Sequence, residues 1–454
     1  MIQRVERRAH PPGPTNFNGP TGLTWRHAYR IVFDPLRFMQ QTAKSYGDIS
    51  FFRLFGKRGY LLNHPDVISQ VLIHQADAFE KLPRQLSVIR QIFGDGILVT
   101  ERQRWRTDRQ HLQRAFNTSL MERNARYTVL QTVKMLDRWQ AQTEVEMTWE
   151  MTRLTAEVAS VVLVGEGDPK VVDRLTDAIM FVSDEFSHEM NSIWTLPDWI
   201  PLTRKRKKQE SLQFYRELFD QLIAKRKANP SANEDFLQFL IDQPTPRDVG
   251  DSFIRDQLLT ILIAAYHATS MALVWTFHLL EKHPEVEAKA LDELLAAEES
   301  QLERTQFQQL TYLRNVISES LRLYPAAWAL FVRQSTRPVT VRGYEIAAGG
   351  WFYISPFVTH RTEEFFPNPL VFDPDRFSLG RKKEIPKNAY FPFGLGGHAC
   401  IGERMATEQL VLIVATILKR YRLRNRIPGY EPELAGRLAL RPRGPFWMKT
   451  ESSR

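Results

Sequence analysis

Cysteine is the scarcest residue of this chain: Cys400 is the only one in 454. No intrachain disulfide can form, and no multi-cysteine zinc or iron–sulfur site can be built. That usage fits a reducing compartment, so a cytoplasmic location is expected. No leader is expected either. Met1-Ile2-Gln3-Arg4-Val5-Glu6-Arg7-Arg8 carries charge with no apolar run behind it, which predicts neither a signal peptide nor a membrane anchor. No tandem repeat is visible. No zinc-finger, RNA-recognition or basic-zipper pattern accompanies the net charge of +9. An acidic redox protein or an anionic membrane therefore outranks nucleic acid as its partner. What is present, 43% hydrophobic residues, is enough for one large domain or two to three small ones.

Charge is absent from one long stretch. Leu258–Leu280 holds no Asp, Glu, Lys or Arg, inside a helical pattern running from Asp251 to His283 and closed by Pro284. By length alone it could span a membrane. His267, His278, Thr260, Thr269, Ser270 and Thr276 suit a buried central helix with a polar cleft better. Other elements are easier. Residues 9–22 are rich in Pro and Gly and read as a stiff, extended leading segment (1–24) before a single domain over 25–454. A helix is expected around Pro35–Tyr46, then a hairpin of Ile49–Leu54 and Tyr60–Asn63, then a helix opened by His64-Pro65-Asp66. Residues 78–100 read as an irregular, partly apolar loop, and 120–190 as helical. Ile193–Pro201 is aromatic and proline-broken, and runs into Arg204-Lys205-Arg206-Lys207-Lys208. Two readings are open there: contact with a membrane surface, or a loop followed by a solvated helix start. Asn229–Asn233 reads as a surface linker. Short strands are expected at Val339–Val341, Tyr344–Ile346 and Trp351–Ser355, and an amphipathic helix over Glu403–Arg420.

The single cysteine sits in Phe391-Pro392-Phe393-Gly394-Leu395-Gly396-Gly397-His398-Ala399-Cys400-Ile401-Gly402, just before that last helix. The glycines allow tight turns and close approach to a flat partner. Amides at a helix start favour a thiolate. One thiolate so held suits the axial iron ligand of a haem, against the plainer reading of a small buried hydrophobe.

Phe393, Gly396, Cys400 and Gly402 fit F-x-x-G-x-x-x-C-x-G, and the loop resembles the haem loop of the cytochrome P-450 superfamily. Four further segments match that family in order. Trp105 and Arg109 match W-x-x-x-R, whose arginine meets a haem propionate. Ala265-Tyr266-His267-Ala268-Thr269-Ser270 matches A/G-G-x-D/E-T-T/S on the distal helix, except that Tyr266 replaces glycine and Ala268 replaces the acid. Glu319 and Arg322 match E-x-x-R, completed by Arg376 in Asp373-Pro374-Asp375-Arg376-Phe377.

The resemblance implies a mainly α fold with small β-sheets, triangular in outline, its haem b held between the distal helix and the Cys400-bearing helix. It implies Cys400 as iron ligand, and Trp105, Arg109, Arg333, His398, Phe393, Gly394, Gly402 and Ala265 as haem-binding residues. His398 stands where many relatives carry an arginine. Thr269 and Ser270 would be catalytic, and Tyr266, Trp328, Leu330, Phe331 and Ile97 would line the pocket. Glu319, Arg322 and Arg376 would be structural. The implied activity is insertion of one oxygen atom from O2 into an apolar terpenoid, fatty-acyl or polyketide-like molecule. Electrons would come from an acidic ferredoxin or flavodoxin with its reductase, docking on arginines near Trp105 and on Lys382-Lys383 of a monomer. Ala268 leaves a second possibility open: a peroxygenase, or a non-oxygenating isomerase or dehydratase.

Overall fold

The computed structural model describes residues 10–11, 29–31, 33–54, 56–165, 167–191, 202–230, 235–243, 250–296 and 309–452. The leading segment falls outside these apart from His10 and Pro11, as do Ile193–Pro201 and part of the 229–233 linker. Helix α1 (Pro35–Tyr46) starts on Asp34, whose carboxylate accepts the Arg37 N–H, and stops at Gly47 with φ of 81°. Strands β1 (Ile49–Leu54) and β2 (Lys57–Leu62) form the expected hairpin. The second strand begins at Lys57 rather than Tyr60, because Lys57 and Arg58 pair with Leu54 and Arg53. His64 caps the short turn Pro65–Ser69 by accepting the Asp66 N–H.

The region 78–100 corrects the loop expectation. It contains β3 (Phe79–Lys81) and an eleven-residue helix, α2 (Pro83–Phe93). Pro83 opens the helix and Gly94, at φ of 50°, ends it. Leu86, Ile89, Ile92 and Phe93 supply its buried face. There follow α3 (Arg102–Gln113), α4 (Thr118–Trp139), β4 (Glu144–Glu146), α5 (Met147–Val164), α6 (Pro169–Asn191) and α7 (Thr203–Ala228). The basic run at the start of α7 is a solvated helix start only in part, since Arg204, Arg206 and Lys207 are exposed. Lys205 and Lys208 are buried and pair with Glu189 of α6 at 2.5 and 2.9 Å. Arg204 pairs with Glu185, and Lys207 lies over the Phe181 ring at 4.6 Å.

The longest helix, α8 (Gly250–Lys282), runs through the core. Its most apolar 18-residue window has a mean hydropathy of 1.7 and is 83% buried within the protein, so it is a core helix. Helix α5 packs along it. After α9 (Thr311–Leu323) come β5 (Arg333–Ser335), the hairpin β6 (Val339–Val341) and β7 (Tyr344–Ile346), and β8 (Trp351–Ile354). The main sheet has the order β1-β2-β8-β5-β3. Helix α10 (Glu403–Leu418) follows the cysteine loop. In a three-stranded sheet the last strand, Trp447–Ser452, lies between β4 and β9 (Tyr421–Asn425) and pairs with both. One large apolar cluster spans the helices, and two smaller ones lie on either side of the main sheet.

Candidate haem-thiolate site

The cysteine loop is shaped by two glycines in left-handed backbone, one of them closed to any side chain. Gly394 and Gly396 have φ of 79° and 74°. A Cβ on Gly396 would lie 2.3 Å from the Leu72 carbonyl oxygen, which closes the position to any side chain. Gly397 passes under Trp105, with an added Cβ 3.1 Å from its ring. The Cys400 N–H donates to Phe393 O at 2.8 Å. Gly402 caps α10 at an ordinary φ of −97°, and its N–H donates to the Cys400 sulfur. That thiol is exposed, yet it sits deep enough that desolvation leads its pKa upward. The Gly402 amide and Arg109 oppose the rise, and Glu403 adds to it.

Beside the loop lies a cluster of cations. His398 stacks on Trp105 with ring centroids 3.8 Å apart. Arg109 lies 5.8 Å from the Trp105 ring centroid and donates from Nη1 to Ala399 O at 2.8 Å. Arg333 of β5 is paired directly across the ladder from Lys81 of β3, and both are buried. Like charges facing each other on adjacent strands repel. The carboxylate acting on both is Glu101, 2.9 Å from Lys81 Nζ. Burial, then Lys81, Arg333 and Arg109, push the His398 imidazole down to about 2, so it is neutral. Three cations against one carboxylate leave an excess of two positive charges. That excess fits a dianionic partner such as the two propionates of a haem. Lys81 and Glu101 belong to no motif, and the sequence reading missed them.

The second part of the candidate site is α8. Between Gln257 and Leu280 every residue is buried except Ala264, Ala265 and Ala268. At about 100° per residue these three share one face with Ile261, and Thr269 borders it. Thr269 Oγ1 donates to Ala265 O at 2.7 Å. Helical phase turns the neighbouring motif residues elsewhere. Ser270 Oγ donates to His267 O at 2.9 Å and receives the Thr152 hydroxyl of α5 at 3.4 Å, on the far side of the helix. Tyr266 is fully buried, its hydroxyl toward Tyr215 of α7 and its carbonyl accepting from Thr155. His267 shares a hydrogen bond with Ser183 of α6 at 2.9 Å, and burial lowers its pKa to about 4. Ser270 as a catalytic group and Tyr266 as a pocket residue are therefore corrected.

Trp328 is also corrected. It packs in a smaller cluster beside the main sheet with Leu36 and Phe38, and its indole N–H donates to Arg437 O at 2.7 Å. Leu330 is bonded to β8 through Ile354 O and packs on the sheet. Phe331 and Ile97 lie against or within the main cluster.

Below the loop, Glu319 and Arg322 form a doubly bonded pair, both contacts at 2.7 Å, and Arg376 Nε reaches Glu319 at 3.5 Å. Arg322 also donates to the carbonyls of His360, Pro369 and Val371, and Asp373 N–H donates to Glu319. His360 in turn accepts the Phe391 N–H at 3.0 Å, at the root of the cysteine loop. The ion cluster thus reaches that loop through one buried histidine, whose pKa burial and Arg322 hold well below the usual range.

The family model for Cytochrome P450 matches residues 12–446. The chain belongs to the cytochrome P450 family. It is 30% identical to a cyclooctat-9-en-7-ol 5-monooxygenase of Streptomyces melanosporofaciens, over 92% of this chain and 90% of that protein. It is 26% identical to a pentalenene oxygenase of Streptomyces avermitilis, over 87% and 88%. Human lanosterol 14-alpha demethylase is 25% identical, over 89% and 80%. This P450 is therefore an oxidoreductase of the monooxygenase type, and the family implies a haem between α8 and the start of α10.

Proposed function

We propose that this P450 inserts one oxygen atom from O2 into a terpenoid, using haem b and electrons from an acidic ferredoxin or flavodoxin. The carrying observation is the distal face, where Ala264, Ala265 and Ala268 offer methyl groups and Thr269 the bordering hydroxyl. Such a wall binds hydrocarbon and holds no charge to pair with a polar headgroup. The names of relatives that act on cyclooctat-9-en-7-ol and pentalenene support the terpenoid class. A bound thiolate-ligated haem supplies oxygen activation and insertion. The protein's part is to hold and orient. Cys400 would ligate the iron. Arg109 and Arg333 would hold the propionates, with His398 and Trp105 packed beside them, while Lys81, whose three N–H bonds go to Leu98 O, Thr100 O and Glu101, adds charge alone. Phe393, Gly394, Gly402 and Ala265 shape the surfaces against the ring. Thr269 passes protons through its hydroxyl, which already donates to Ala265 O and retains lone pairs to accept. The chain acts as a cytoplasmic monomer, and Lys382 and Lys383, on an exposed turn, face the acidic donor.

Two measurements test this. The reduced, carbon monoxide-bound spectrum reports the thiolate, and donor-dependent oxidation of a polycyclic terpene reports the reaction. Thr269→Ala is expected to keep the spectrum while lowering product per electron by about tenfold or more. Full coupling in that variant refutes the proton role. His398→Arg should slow loss of haem to a scavenger, because a charged fork replaces a neutral ring. An unchanged loss rate counts against propionate contact there. Ala268 favours a second reading, since no ionisable side chain stands at that open position and His267 faces Ser183. Under it the enzyme works with hydrogen peroxide alone, and turnover without any electron donor distinguishes the two.

A further inference from the structure

Two neighbouring residues of β3, Glu80 and Lys81, pair crosswise with two neighbouring residues at the start of α3, Glu101 and Arg102. Lys81 Nζ meets the Glu101 carboxylate at 2.9 Å, and Glu80 meets the Arg102 guanidinium. Successive side chains of a strand point to opposite faces, so one pair lies in the core and the other at the surface. The Lys81 and Glu101 side chains are 4% and 19% exposed, whereas those of Glu80 and Arg102 are 30% and 69% exposed. Lys81 also donates to Leu98 O at 2.9 Å and Thr100 O at 3.2 Å, which ties the chain leading into α3 to the same strand.

The backbone is strained at this junction. Arg102, the first residue of α3, has a φ of 52°, in the left-handed region that favours glycine. An arginine is held there, with its own side chain on Glu80 and the preceding Glu101 on Lys81. The four charges cancel, so what the crossed pairs contribute is geometry. They join two elements that each carry part of the candidate site. Strand β3 pairs with β5, which places Arg333 opposite Lys81. Helix α3 carries Trp105, stacked on His398 at 3.8 Å, and Arg109, which donates to Ala399 O at 2.8 Å. The two arginines assigned to the propionates therefore stand on the two sides of one junction.

We propose that Glu80, Lys81, Glu101 and Arg102 are positioning residues that fix the spacing between Arg109 and Arg333, and so set how firmly the haem is held. This rests on the reading above that both arginines bind propionates. Charge alone makes the opposite forecast at Glu101. Removing that carboxylate raises the positive excess beside a dianion, which would hold it more firmly. Removing it also breaks the inner pair and frees α3 from β3, which would hold it less firmly.

The test follows transfer of haem from holoenzyme to excess apomyoglobin, with a urea midpoint for each variant. Glu101→Leu should shed haem about tenfold faster than the parent, and Glu101→Gln, which keeps an acceptor for Lys81, should stay within about twofold. Glu80→Arg sets a like charge against Arg102 and should shed haem about threefold faster, the smaller effect of a more exposed pair. Adding Arg102→Glu to Glu80→Arg restores the pair in reverse and should return the parental rate. Slower or unchanged loss in Glu101→Leu, or a swap that restores nothing, overturns the proposal. Val145→Ala, in the core beside the separate three-stranded sheet, should lower the urea midpoint and leave haem loss at the parental rate. Loss from it as fast as from Glu101→Leu would also overturn the proposal, because general destabilisation would then suffice. Should Glu101→Leu fail to accumulate, the Glu80 and Arg102 series decides. Arg109→Leu and Arg333→Leu separate the two layers of the argument. Parental retention in both removes the propionate reading and this spacing with it. Rapid loss from both, beside parental retention in Glu101→Leu and Glu80→Arg, removes the crossed pairs alone.

Discussion

Replacing Cys400 with serine should abolish oxygenation and move the Soret band of the reduced, carbon monoxide-bound protein. A serine hydroxyl is not ionised near neutral pH, so the anionic sulfur that the family places on iron is lost. The surroundings sharpen the effect. Burial acts against a free thiolate at this position, and the Gly402 N–H and Arg109 only partly offset it. A hydroxyl there inherits the desolvation without the polarisable sulfur or its ease of ionisation. A loss of at least about a thousandfold in product formation is expected, equivalent to about 4 kcal/mol of transition-state stabilisation. Thr269→Ala, which lies away from the sulfur and is expected to keep the spectrum, is the control. If Cys400→Ser retains the parental Soret position, sulfur does not ligate the iron.

Local signals carried much of this molecule. The uncharged run of α8, the glycines around Cys400 and the proline-led helix starts are short-range features, each with its cause within a few residues. Helix α2 had such signals too, since Pro83, Leu86, Ile89, Ile92 and Gly94 mark its start, face and stop. Five interspersed polar residues, Arg84, Gln85, Ser87, Arg90 and Gln91, obscured that spacing. Two other misreadings have long-range causes. Lys81 becomes a site residue only because β3 pairs with β5, which brings Arg333 opposite. Lys205 and Lys208 of α7 look solvated like their neighbours until Glu189 of α6 folds against them. Tyr266 and Ser270 illustrate a third limit. Matching a motif assigns positions, but the phase of the helix decides which side chains reach the open face.

Glu319→Ala should be the most destabilising single change in the chain. Glu319 and Arg322 are completely buried and Arg376 nearly so, which leaves two guanidiniums in the core without their carboxylate. Removing one partner of a buried ion pair costs about 3–5 kcal/mol. Set against a total of about 5–15 kcal/mol for a folded protein, that is a large share. The damage should also be directional. Arg322 holds the backbone at His360, Pro369 and Val371, and His360 holds Phe391, so the disturbance travels to the root of the cysteine loop. Haem retention should therefore fail before global unfolding does. Glu319→Gln separates the two contributions, because it keeps a hydrogen-bond acceptor and drops the charge. Urea midpoints and the carbon monoxide spectrum, measured together, decide the matter. If both variants unfold near the parental midpoint, the cluster is not what supports the loop. If the midpoint falls while the spectrum persists to the same denaturant concentration, the link through His360 is absent.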